Sequence, residues 1–258
     1  MTNVFLNTVL LEKNRWEEGQ NPSILVSEWI STINEAGFDG LELWQNHYAK
    51  SSPQEKEKIK DENFPVSLFN TYIKFEDGWE QERDNIAHMA HQLRCKGVKF
   101  NLGSSIENKE MYVTHIKEML KQLPNTCQLL CECHAGTIME DPEVAYALLD
   151  QIGSERVKII IHPLQLHLNI EEWFTYFGST ITHAHISLYN QERFHRLRAS
   201  ERFVKERLKE IDRLQFYGTY SIEFTEGVAT GEENPRDLLS HAEEDLLLLR
   251  HLLKELGA

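Results

Sequence analysis

The sequence predicts a single-domain (β/α)8 barrel, the TIM barrel architecture, over residues 1–258. A strand-like apolar run followed by a helix-like segment recurs eight times, the count such a barrel requires. The length of 258 residues suits this fold as one domain, since these barrels take about 250 residues. A doubly wound open sheet would want a glycine-rich phosphate loop after an early strand. Gly19, Gly37 and Gly40 do not form one.

The units follow in order. Residues 4–10 are apolar and β-rich. Pro22 then opens a helical stretch with Leu25, Trp29, Ile33 and Ala36 at helix-face spacing, stopped by Gly37. Residues 40–44 form the second strand, and residues 53–63 a short charged helix. Pro65 introduces the third strand, 66–70. Residues 79–94 read as helix, Gly97 as its stop, and 98–101 as the fourth strand. The next helix covers 107–123 and ends at Pro124-Asn125. Strands five to eight are each followed by a helix. These begin at Asp141-Pro142, an N-cap with proline in the first turn, at Asn169, near Ala199 and at Asn234-Pro235, the last running to about Leu253. No long linker or low-complexity tract interrupts the series.

Those last four strands carry the main clue to function. Leu129-Leu130-Cys131-Glu132-Cys133-His134, Val157-Lys158-Ile159-Ile160-Ile161-His162, Ile181-Thr182-His183-Ala184-His185 and Tyr220-Ser221-Ile222-Glu223 each end in a residue able to bind a metal. In a parallel barrel the C-terminal strand ends converge on one mouth, where the chemistry is kept. Glu132, His162, His185 and Glu223 are therefore expected to meet as a carboxylate and imidazole cluster suited to a divalent ion. The plain alternatives are salt bridges for the two glutamates and a hydrogen-bonded core histidine for His185. By the period of two, His183 shares a face with His185 and is a candidate site or packing residue. Glu42 and Trp44 likewise share a face and could line the mouth, the indole giving an apolar wall for a sugar ring, or serve a structural role. His134 follows Glu132 without a zinc-finger spacing.

At this point the residues resemble a known family. Gly37-Phe38-Asp39-Gly40-Leu41-Glu42-Leu43-Trp44 resembles the second-strand signature of the xylose-isomerase-like superfamily of sugar isomerases and epimerases, which also includes the apurinic-site endonucleases. Cys131-Glu132-Cys133-His134-Ala135-Gly136-Thr137, His183-Ala184-His185-Ile186 and Ser221-Ile222-Glu223-Phe224 resemble its fifth-, seventh- and eighth-strand motifs. The resemblance implies Glu132, His185 and Glu223 as metal ligands, and the two glutamates as acid/base groups as well. The sixth strand departs from the pattern, which has an Asp there and a His three residues later. Strand register puts His162 at the ligand position; matching the run from His167 to Glu172 instead puts His167 at the second position and Leu164 at the ligand. His162 is preferred, because it follows Ile159-Ile160-Ile161 and imidazole is a competent ligand for Zn, Mn or Co.

Composition narrows the field. The net charge of -14 argues against a nucleic-acid partner, since phosphate backbones are met by clustered Lys and Arg. No run of about 18 apolar residues predicts a membrane span, and the start lacks the basic and apolar regions of a signal peptide. Cys95, Cys127, Cys131 and Cys133 are too few and oddly spaced for a disulfide framework, so a reducing cytoplasm is the expected compartment. A homo-oligomer is compatible with all of this.

The expected function is a divalent-metal-dependent isomerase or epimerase of a small sugar or polyol carbonyl compound, working by proton transfer through an enediolate. The metal (Mn, Co or Zn) would stabilise that charge, and Glu132 and Glu223 would move the protons. The alternatives are a metal-dependent lyase or hydrolase, such as a polyol dehydratase, and a non-catalytic binding barrel. An Arg193 turned inward could clamp a substrate anion bidentately, but the neighbouring Glu192 favours solvent exposure and an uncharged sugar.

Overall fold

Residues 2–61 and 64–257 are described in the computed structural model. Eight parallel strands close a barrel: β1 (Val4–Asn7), β2 (Leu41–Trp44), β3 (Val66–Asn70), β4 (Gly97–Phe100), β5 (Gln128–Glu132), β6 (Val157–Ile161), β7 (Ile181–Ile186) and β10 (Thr219–Ile222), with β10 hydrogen-bonded to both β7 and β1. Two further strands, β8 (Leu188–Asn190) and β9 (Arg193–His195), pair antiparallel with each other and stand outside the ring. Around it run α1 (Ile30–Glu35), α2 (Gln45–Ala49), α3 (Pro53–Asp61), α4 (Glu80–Leu93), α5 (Lys109–Gln122), α6 (Pro142–Ile152), α7 (Ile170–Phe177), α8 (Glu201–Arg213) and α9 (Pro235–Leu256). Among the described residues no helix is long and apolar enough to cross a membrane.

The helix starts follow from local chemistry. Asp141, Asn169 and Asn234 each accept a backbone N–H at the first turn of α6, α7 and α9, and proline occupies the first turn of α6 and α9, where its missing N–H costs nothing. Elsewhere the boundaries moved. The stretch after Pro22 becomes a short 3-10 turn, Val26–Glu28, and then α1. The first strand yields at Asn7, whose side chain caps a 3-10 turn, Thr8–Leu11. Gly97 is the first residue of β4 rather than a helix stop. There it faces the barrel interior, and a Cβ would come within 2.8 Å of Leu68 and 2.7 Å of Leu130. The end of the expected 53–63 helix lies at residues 62 and 63, outside the described residues.

Period-two alternation sorts each strand into an outward side chain buried under helices and an inward one filling the barrel. Outward residues such as Val98, Leu129, Ile159 and Ile161 belong to the main core. Inside, Phe5, Leu68, Leu130 and Ile160 form a separate apolar cluster. One residue pair further along, the interior turns polar: Asn7, Glu42, Asn70, Lys99, Glu132 and His185 are all buried, with His183 and Ser221 just beneath them. The apolar cluster thus floors a polar chamber that lies towards the C-terminal strand ends.

Candidate metal centre

Each polar side chain of the chamber is carried by a different strand, so the closure of the barrel sets the geometry. Glu132 ends β5, and its Oε1 accepts hydrogen bonds from His162 Nε2 at 2.9 Å and His185 Nδ1 at 3.1 Å. Its Oε2 lies 2.8 Å from Lys99 Nζ and accepts from Asn101 Nδ2 at 2.8 Å. Glu223, one residue past β10, places Oε1 3.3 Å from His185 Nδ1, and its Oε2 lies 3.3 Å from Ser187 Oγ and 3.8 Å from His162 Nδ1. One donor atom from each of Glu132, His162, His185 and Glu223 lies within 4.8 Å of all the others.

His185 is the hinge of the arrangement. While Nδ1 faces Glu132 and Glu223, Nε2 donates to Glu42 at 3.0 Å. Burial pulls its pKa down, but the charges of Glu223 and Glu42 and hydrogen bonds to Glu132 and Glu223 outweigh that and hold it well above the ordinary imidazole value. Burial likewise opposes ionisation of Glu132, yet Lys99, His162 and His185 keep its carboxyl well below the usual range. Glu42 and Glu223 are lowered too, against the same burial, chiefly by His185. His183, a layer deeper, bonds Thr219 Oγ1 at 2.7 Å and lies 3.4 Å from Glu42; burial depresses its pKa.

The charges test whether a cation fits. Glu42, Glu132 and Glu223 bring three buried carboxylates, and Lys99, whose burial is overcome by Glu132, brings one permanent ammonium. In the metal-free chamber a protonated His185 offsets part of the surplus. Ligation through Nδ1 displaces that proton, and with the imidazoles neutral the surplus is two negative charges, which a buried site cannot leave uncompensated without large cost. One divalent ion held by Glu132, Glu223, His162 and His185 would cancel it, and two carboxylates with two imidazoles are a competent donor set. The residues fit the ion.

The other sequence candidates are dispersed. Glu42 and His183 adjoin the cluster, with Glu42 on the far side of His185 from the four-residue set. Trp44 is fully buried, so its ring is not an open wall at the mouth. Its backbone N–H donates to Thr8 Oγ1 at 2.9 Å, and its ring packs edge-on against His47, which joins Thr8 to the buried Glu12. That network locks Trp44 in place. His134 is exposed, with Nδ1 bonded to the neighbouring Ala135 carbonyl. His167 is exposed, and Arg193 stands exposed on the hairpin strand β9. Leu164, the competing sixth-strand ligand, lies in the core, while His162 reaches Glu132.

Sequence reasoning missed Lys99, Asn101, Ser187 and the aromatic rim. The signal for Lys99 was a charged residue between Val98 and Phe100 in an otherwise apolar strand. Phe224 follows Glu223 and packs on Phe194 at 4.9 Å and near Trp16 at 6.1 Å between ring centres. Trp16 is largely exposed, so an aromatic surface borders the Glu223 side of the chamber.

A family model described as Xylose isomerase-like TIM barrel matches residues 30–244. The chain belongs to that family, as the fold and the strand-end cluster had indicated. Three solved structures illustrate the likeness. The first is D-psicose 3-epimerase from Clostridium cellulolyticum H10, solved with D-tagatose. It is 13% identical, with 98% of this chain and 99% of that chain covered and a TM-score of 0.70. The second is a probable 3-DHS dehydratase, AsbF, involved in petrobactin synthesis from Bacillus anthracis. It is 17% identical, covering 96% and 98%, with a TM-score of 0.67. The third is the IOLI protein with a bound zinc atom, at 16% identity, 96% and 97% coverage and a TM-score of 0.69. At such identities the likeness speaks for the fold alone. No match was found among curated proteins.

Proposed function

We propose that this chain is a divalent-metal-dependent isomerase or epimerase of a small sugar or polyol carbonyl compound. The observation that carries the reading is the charge balance of the chamber: three buried carboxylates against one ammonium, with two imidazoles completing a four-residue donor set. Glu132, Glu223, His162 and His185 would hold the ion, and Mn, Co and Zn all suit the donors. When bound, such an ion supplies positive charge that stabilises oxygens next to a carbon losing its proton.

The two glutamates are not equivalent. Both oxygens of Glu132 are engaged at 2.8–3.1 Å, one by Lys99 and Asn101, the other by His162 and His185. Glu223 has looser contacts, at 3.3 Å or more. Glu132 is thus a fixed anchor, and Glu223 Oε2 is the group placed to take a proton from carbon and return it. Ser187 steadies that oxygen. A single, less tightly held base favours proton transfer between neighbouring carbons on one face, as in an aldose–ketose isomerisation, over two-faced epimerisation. The same asymmetry supports a second reading, elimination of water by a polyol dehydratase, because that reaction also begins with removal of a proton beside a carbonyl.

Incubation of the Mn²⁺-loaded protein with a panel of ketoses, aldoses, reducing disaccharides and a cyclic polyol ketone in deuterated water tests the proposal. Deuterium is expected on the carbon beside the carbonyl, with interconversion of the pair. Loss of water from a cyclic polyol ketone would establish the dehydratase instead. Bound metal with neither exchange nor product would refute both.

A further inference from the structure

A cavity of about 430 Å³ opens beside the cluster, between the segments that follow β3 and β4. Its size falls within the roughly 300–1,000 Å³ typical of small-molecule sites. Two of its lining residues reach the chamber. Asn101 donates to Glu132 Oε2 at 2.8 Å, and Lys99 Nζ, paired with the same oxygen, sits 4.7 Å from the centre of the Tyr72 ring. Tyr72 and Trp79 keep 39% and 38% of their surface exposed, although both are large aromatics. Lys74 Nζ lies 4.2 Å from the Trp79 ring, and Glu76 accepts from Tyr112 Oη at 3.1 Å. Gly103 keeps that pair possible: a Cβ there would come within 2.5 Å of Tyr112 Oη and 2.7 Å of Glu76 Oε1.

We infer that this cavity holds a second, non-reacting sugar ring, so that the substrate is a glycoside rather than a free monosaccharide. The inference rests on the proposed reaction and adds the substrate class. Aromatic side chains can take the C–H face of a sugar ring. Asn101, Glu76 and Lys74 offer both donors and acceptors for its hydroxyls. The formal charges of Lys74 and Glu76 cancel, so the cavity lacks the cationic surplus that a phosphate would need. Its position beside Asn101 sets it to the side of the groups assigned to the chemistry.

Binding, not turnover, is the direct test. Calorimetric titration of the full chain, with and without Mn²⁺, would compare D-glucose with cellobiose, maltose and lactose, and with glucose 6-phosphate. At least one disaccharide should bind about tenfold more tightly than glucose, the scale of one added aromatic contact, and Trp79→Ala should bring it back to the glucose level. Trp79 is partly exposed at the start of α4, and the variant's circular dichroism should match that of the parent. Equal binding of glucose and all three disaccharides, no binding by any disaccharide, tightest binding by glucose 6-phosphate, or an unaffected Trp79→Ala variant would each overturn the inference. Deuterium exchange on monosaccharides without any disaccharide preference would sink this inference alone. A disaccharide preference without any exchange would sink the proposed reaction alone.

Discussion

His185 Nε2 lies 3.0 Å from Glu42 Oε1 across the barrel, although 143 positions separate the two residues in the chain. The opposite nitrogen of the same ring faces Glu132 and Glu223. A carboxylate behind a ligating histidine fixes its tautomer and raises its basicity. Glu42→Gln is therefore expected to weaken Mn²⁺ binding about 10–100-fold by calorimetry. Unchanged affinity would show that Glu42 does not support His185.

Glu132 and Glu223 should separate in their effects. Glu132→Gln removes the anchor and is expected to abolish stoichiometric metal binding. Glu223→Gln should retain weakened binding and lose proton exchange by about 10²-fold or more, the usual scale for a general base. Among the histidines, His185→Ala should cost more metal affinity than His162→Ala, because His185 contacts three carboxylates and His162 two. The reverse order would contradict the geometry.

Lys99 is the only permanent positive charge paired with Glu132 among the described residues. Replacing it with methionine keeps most of the aliphatic volume and strands a buried carboxylate. The metal-free protein should lose about 3–5 kcal/mol in urea denaturation. A loss below about 1 kcal/mol, the range of exposed pairs, would mean that the pair is not buried in solution.

Asp245, on α9, accepts from Leu197 N at 2.7 Å and Thr225 Oγ1 at 2.6 Å. Burial raises its pKa from 3.8 to about 6, against those hydrogen bonds. A carboxyl raised on folding contributes stability that is complete below its unfolded value and is lost as pH rises through the folded one. The change is about 3 kcal/mol across roughly pH 4 to 6. Thermal melts of the parent and Asp245→Asn should therefore favour the parent most at low pH, with its advantage shrinking towards pH 7. A difference that does not vary with pH would place Asp245 at an ordinary pKa.

The barrel was legible because its strands are apolar and its helix starts carry their own caps, as at Asp141-Pro142 and Asn234-Pro235. In the sixth strand, His162 directly follows three isoleucines and reaches Glu132, while Leu164 lies in the core. What sequence could not give was depth. Glu42 and Trp44 share a face, yet Glu42 meets His185 and Trp44 is sealed by Thr8 and His47, neighbours brought in by other segments. Lys99 was hidden for the same reason, since its partner comes from the next strand. The β8–β9 hairpin went unseen because its turn uses Gln191 and Glu192 at φ 50° and 62°. Two-residue turns of that hand usually announce themselves with asparagine and glycine.

That hairpin hydrogen-bonds as strands only to itself, while the ring closes through β7 and β10 without it. It stands beside the mouth, held by Leu188 in the main core and by Phe194 on Phe224. Related chains could lengthen, shorten or exchange it without renegotiating a single barrel register. Under the proposed function, selectivity on that side of the opening can therefore diverge faster than the chamber beneath it, and laboratory evolution aimed at new substrates has a natural place to begin.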